Sequence, residues 1–165
     1  MDIIDVFQER HGALRAELAG LGAQFKRPHG VGWDDCVSLD CQRLRRDIEG
    51  FFASFRAHES SEEEFMKEIA GQFELDAAMR AAFEDGRRAV ADIMKIFGAV
   101  AFTFDGEHVH RLRELLGRMS DEVEAHLAYE EKTLFPLLRE RLPAERLREL
   151  GERAREAELH PPSKR

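Results

Sequence analysis

Cysteine is scarce in this 165-residue chain: Cys36 and Cys41 are the only two, five positions apart. That spacing fits neither a CxxC metal or redox motif nor a disulfide framework, so reduced thiols in a cytoplasmic setting are the expectation. No secretory leader is expected, because Met1-Asp2-Ile3-Ile4-Asp5 carries acids where such a leader carries bases. Long hydrophobic runs are missing too. The strongest, from Ile93 to Phe104, is interrupted by Lys95 and falls far short of a bilayer span. Positive charge is in deficit, with 25 Lys and Arg against 33 Asp and Glu and a formal net charge of −8. Nucleic acids and anionic membranes both require a cationic face, so neither is an expected partner. The sequence has no GxGxxG or GKS phosphate loop and no nucleophile-plus-base arrangement. Polar aromatics are nearly absent: one Tyr (Tyr129) and one Trp (Trp33) stand beside 12 Phe. That imbalance points to a phenylalanine-packed core, or to a dry cavity walled by rings without hydroxyls.

What the chain has in quantity is a helical period. In the first segment Ile4, Phe7, His11, Leu14, Leu18, Leu21 and Phe25 recur in steps of three and four. A Pro/Gly loop follows at residues 26–32. A second helix is expected to begin near Asp34 to Ser38, with a stripe of Val37, Cys41, Leu44, Ile48, Phe51, Phe55, His58, Glu62, Phe65 and Ile69 and a stop at Gly71. A third reads from about Leu75 to Ala101, with Met79, Ala82, Val90, Ile93, Phe97 and Val100 inward. Phe104-Asp105-Gly106 is the next turn. The fourth runs from about Glu107 to Arg141 with Val109, Leu112, Leu116, Met119, Val123, His126, Glu130 and Leu137 on one face. The stripe crosses Gly117 and Ser120 without a slip of phase, which favours one continuous helix. Pro143 ends it or opens a short C-terminal helix marked by Leu147, Leu150 and Ala154.

The expected fold is therefore all-α: an up-down-up-down four-helix bundle with a short C-terminal helix, one domain over residues 1–158 and a frayed tail over 159–165. The second and fourth helices resemble each other, a weak internal repeat.

Against this apolar pattern, the polar residues within the stripes stand out. His58 with Glu62, and His126 with Glu130, are each spaced by four and so share a helix face one turn apart. Burying an unpaired carboxylate costs several kcal/mol, so each Glu needs an interior partner. His11 falls in phase with its own stripe as a fifth candidate. Such pairs form simple ion pairs in many helices, and Ser61 with Glu64 could cap a new helix and re-aim Glu62. Two in-phase pairs plus a third in-phase His instead favour a metal centre inside the bundle. Imidazole and carboxylate without thiolate suit iron, manganese or zinc. Three His and two Glu are generous for one ion, and Glu62 and Glu130 are natural bridges between two.

His11, then His58-x-x-x-Glu62-Glu63, then His126-Leu127-Ala128-Tyr129-Glu130-Glu131-Lys132-Thr133-Leu134-Phe135-Pro136 resembles the hemerythrin-like (HHE cation-binding) family, over about residues 4–150. The resemblance implies a four-helix bundle holding a non-heme, carboxylate-bridged pair of iron ions. His11, His58 and His126 would then be terminal ligands, and Glu62 and Glu130 the bridges. One position departs. The family pattern has a further His early in the third helix, where Phe83-Glu84-Asp85-Gly86-Arg87-Arg88 places Gly86. His108 and His110 would lie about 24–27 Å from His126 along a continuous helix, too far to replace it. Asp85 could swing in and Glu59 could add an oxygen, though neither sits in the inward stripe, and water is the remaining substitute.

A missing ligand implies an open, weaker metal position, suited to a small diatomic or peroxide ligand. The expected function is reaction with O2, peroxide or NO, as sensor, scavenger or weak oxidase. Alternatives are an iron reservoir or donor for iron–sulfur repair, and a metal-free helical interaction module. Phe7, Phe55 and Phe65 fall a turn from the candidate ligands and would keep water away.

Overall fold

The computed structural model describes residues 1–26, 39–104 and 109–159, and apart from residues 1–2, 73–76 and 142–143 these are all helical. The order is α1 (Ile3–Lys26), α2 (Leu39–Gln72), α3 (Ala77–Phe104), α4 (Val109–Tyr129), a π-helical turn (Glu130–Leu134), α5 (Phe135–Arg141) and α6 (Ala144–Leu159). The expected loop at residues 26–32, the start of the second helix, the turn at 104–106 and most of the tail fall wholly or mainly outside the described residues. α6 reaches Leu159, one residue into the span expected to be tail.

Local chemistry sets the visible helix starts. Asp2 and Asp5 exchange backbone-to-carboxylate hydrogen bonds, each 2.9 Å, a reciprocal cap for α1. The Met79 N–H donates to Asp76 Oδ1 at 2.9 Å, capping α3. Ser61 starts no new helix: α2 runs unbroken through it and past Gly71 to Gln72. Leu142 is extended at φ −104° and ψ 144°, as the residue before Pro143 must be, and the chain turns there into α6.

α1 packs on α2, α4 and α6, while α3 packs on α2 and α4. The α1–α6 seam is tight: a Cβ at Gly151 would come within 2.8 Å of the Ile3 backbone nitrogen, so only glycine fits there. The core falls into two clusters. One gathers Leu14, Leu18, Phe51, Phe55, Ile93, Phe97, Met119, Val123 and Leu127 among others. The other gathers Ile4, Phe7, Phe65, Ile69, Met79, Leu134, Phe135, Leu138, Leu147 and Leu150 among others. Along α1, His11 falls between Phe7 of one cluster and Leu14 of the other. Along α2, His58 and Glu62 fall between Phe55 and Phe65, so a polar layer separates the two apolar bodies.

α4, the π turn and α5 form one uninterrupted helical run, so Gly117 and Ser120 do not break it. The π turn was not foreseen, and it corrects the expected face. Pro136 has no N–H, and in a regular α-helix its ring would strike the carbonyl of Lys132. The chain widens instead, and the Phe135 N–H donates to Glu130 O, five residues back. The extra residue advances the buried face by one, so Leu138 is buried where Leu137 was expected, and Leu137 is only half-buried. Val90, expected inside, is also half-buried. No described helix is long and apolar enough to cross a membrane.

Candidate metal centre

The two HxxxE pairs and His11 come together in the layer between the clusters. His11, His58, Glu62, His126 and Glu130 are the buried polar residues among those described, none more than 6% exposed. α1 supplies His11, α2 supplies His58 and Glu62, and α4 with the first residue of the π turn supplies His126 and Glu130. His11 Nε2 lies 3.2 Å from Glu130 Oε2 and 3.7 Å from Glu62 Oε1. His58 Nε2 is 3.5 Å from Glu62 Oε1, and His126 Nε2 is 3.3 Å from Glu130 Oε1. One ligand atom from each of His11, His58, Glu62 and Glu130 lies within 4.8 Å of the others, so this group could hold a metal ion.

These approaches are close without being satisfied hydrogen bonds. His11 Nε2, both ring nitrogens of His58, Glu62 Oε1, His126 Nδ1 and Glu130 Oε2 are buried with no hydrogen-bond partner. Leaving one buried polar atom unpaired costs about 1–3 kcal/mol, and proteins seldom concentrate such atoms in one place without a ligand. Neighbouring ligands bound to one cation at about 2.1 Å stand about 3.0–3.4 Å apart, the range in which two of these pairs lie, with the other two a little longer. The donor set therefore fits a divalent or trivalent cation.

Electrostatics point the same way. Burial pushes the His58 imidazole down to about 4, against the pull of Glu62, so the ring is neutral and its lone pair available. Burial, then the Glu62 carboxylate, raises Glu130 well above the usual carboxylate range. Burial opposes ionisation of Glu62 as well, but His11 and His58 outweigh it and hold that carboxyl low. Without a cation, burial and the Glu62 charge push Glu130 toward its neutral form.

Two residues outside the expected set complete the layer. Glu131 Oε1 lies 2.9 Å from His11 Nδ1 and 2.6 Å from Arg15 Nη1. Arg15, whose Nε also reaches Glu124 at 2.9 Å, keeps Glu131 low, with His11 adding to the effect against burial. An ionised Glu131 has no proton to give, so His11 donates from Nδ1 and faces Glu62 and Glu130 with Nε2. Glu59, half-buried, places Oε1 3.0 Å from His126 Nε2. Burial raises the Glu59 carboxyl, while burial's downward push on His126 is outweighed by Glu59 and Glu130, which raise it. The angular position of Glu59 put it off the stripe, but its side chain is long enough to reach round. Asp85 does not: it is exposed and paired with Arg88. His108 lies outside the described residues, as does the side chain of His110.

Aromatic rings enclose the layer. Phe7 meets His58 edge-on at 6.1 Å and Phe65 at 5.6 Å, and Phe55 meets His126 at 6.2 Å. Phe135, not anticipated, stacks on His11 at 5.4 Å. Tyr129 is half-buried at the rim, its hydroxyl donating to Ala82 O at 3.4 Å, away from the centre. A cavity of about 350 Å³ adjoins the layer on the α3 side, with Glu59, Glu62, His126 and Glu130 at its floor and Gly86 in its wall. Gly86 is buried, and a Cβ there would meet nothing within 4 Å.

No family model, no curated protein and no solved structure matches this chain.

Proposed function

We propose that this protein is a cytoplasmic hemerythrin-like metalloprotein: an up-down-up-down four-helix bundle that holds two non-heme iron ions and reacts with O2, peroxide or NO. The observation that carries the reading is the cluster of unpartnered nitrogen and oxygen atoms on His11, His58, Glu62, His126 and Glu130, sealed between two apolar bodies. His11, His58, Glu62 and Glu130 each bring a ligand atom within 4.8 Å of the others, and His126 joins them through Glu130 at 3.3 Å, so three imidazoles and two carboxylates are on hand, a generous set for one ion. Glu62 and Glu130, adjacent and both buried, suit bridging positions; His11, His58 and His126 suit terminal ones. Glu59, which lines the same cavity as Gly86 and reaches His126, is placed to add an oxygen on the side where Gly86 withholds a ligand.

When bound, the metal pair supplies Lewis acidity and one-electron chemistry toward a small oxidant. The protein's part is separate. Glu131 and Arg15 fix the His11 tautomer, Phe7, Phe55, Phe65 and Phe135 exclude bulk water, and Gly86 leaves one approach open. A π turn beginning at Glu130 is consistent with this role, since such turns occur often at functional sites.

Elemental analysis with an absorption spectrum of aerobically purified protein tests the proposal. Two irons per chain with ferric charge-transfer bands are expected, both lost in Glu62→Ala and Glu130→Ala. Protein free of metal as purified, with melting unchanged by chelator, would identify a metal-free helical module instead.

A further inference from the structure

The cavity beside the polar layer is far larger than a diatomic or peroxide ligand needs. At about 350 Å³ it has the liquid volume of about twelve waters and lies in the range of pockets that take organic molecules. Its composition is also that of an organic-ligand site. Met66, Phe83, Val90, Met94 and Leu134 give it apolar walls, and polar groups gather at the two ends. At the floor are Glu59, Glu62, His126 and Glu130. At the mouth are the exposed Arg56 and Arg87, neither in an ion pair among the described residues, with Glu63 engaged by Lys67 at 2.9 Å. The Arg56 guanidinium lies 5.9 Å over the Phe52 ring, and Lys67, with Arg87 adding to it, holds Glu63 low. In a chain of net charge −8, Arg56 and Arg87 put two cations at one opening, the positive counterpart of the acids deeper in the cavity.

Gly86 makes the space. It sits within α3, where glycine is the poorest helix former except proline, and no neighbour fills the volume its missing side chain leaves. Any larger residue there would project into the cavity.

We propose that this cavity binds a small organic acid, its carboxylate on Arg56 and Arg87 and its apolar body on Met66, Phe83, Val90 and Met94. This assigns the metal centre a substrate class, and for any reaction at the floor it rests on the reading above. Gly86 is the residue that determines the size of molecule admitted.

Fluorine NMR titration of the full chain with 4-fluorobenzoate, alongside neutral 4-fluorobenzyl alcohol, tests the inference, with metal content measured on the same samples. Saturable binding of the benzoate to wild type is expected, weakened roughly tenfold or more in Gly86→Leu. Val90→Phe narrows the same space from another position, should Gly86→Leu fold poorly. The Arg56→Ala/Arg87→Ala protein should lose benzoate affinity by roughly tenfold while binding the alcohol as wild type does. Absence of benzoate binding to wild type, or equal binding in Gly86→Leu and Val90→Phe, overturns the inference. Two irons per chain without benzoate binding would sink the organic-acid site alone. Gly86-dependent binding in protein that takes up no metal would keep the pocket and sink the metal centre.

Discussion

Because Glu131 is ionised against Arg15, it governs which nitrogen His11 presents to the interior, although it is itself only half-buried at the edge of the layer. Removing such a partner typically lowers metal affinity 10–100-fold. Glu131→Ala is therefore expected to keep its circular dichroism and the melting of its metal-free form, while its iron dissociates about 10–100-fold more readily to a competing chelator. Glu130 gives a sharper test of metal ligation against simple ion pairing. In metal-free protein its carboxyl is pushed toward the neutral form by burial and by Glu62, so it contributes little as an ion-pair partner. Glu130→Leu should then leave the metal-free fold unchanged or up to about 2 kcal/mol more stable by urea melting, while abolishing iron uptake. A loss of about 3–5 kcal/mol would mean that Glu130 is a structural counterion. The burial of His11, His58, Glu62, His126 and Glu130 was legible in advance, because each occupies a position its apolar neighbours reserve for the core. Glu59 and Glu131 were not. Helical angle alone ignores the reach of a three-bond side chain, and the Glu131 contact depends on α1 packing beside α4.

At the scale of the elements, the helical stripes located most of the core, because amphipathic helices bury the face their apolar residues define. Apart from Val90, half-buried in the regular α3, they failed where the period itself changed. From Glu130 a regular helix would bury Leu137, whereas the π turn buries Leu138, and Pro136 is the residue whose chemistry could have signalled the shift. Deleting the exposed Thr133 from a Pro136→Ala protein should remove the extra residue and restore a 3.6 period. Leu134, Phe135, Leu138 and Leu142 would then stand three, four, seven and eleven positions after Glu130, all on one face. That double variant is expected to melt within a few degrees of Pro136→Ala alone. Deleting exposed Ala125 from the regular part of α4 should unfold the protein, because it turns one side of the stripe to solvent.

For the whole molecule, two apolar bodies meet across a layer whose buried polar atoms lack partners. A cation bound there at 100 times its dissociation constant would add about 2.7 kcal/mol of stability. For a chain of this size, stripping it is expected to lower the melting temperature by about 5–11 °C, read by scanning calorimetry before and after chelation. The shape of the trace matters as much as its midpoint. With the cation in place, the waist is a weld and the heat should be absorbed in one peak. Once it is gone, the join is the weakest plane in the protein, and the end carrying Ile4, Ile69 and Leu147 should part from the end carrying Leu18, Ile93 and Val123 at a separate temperature.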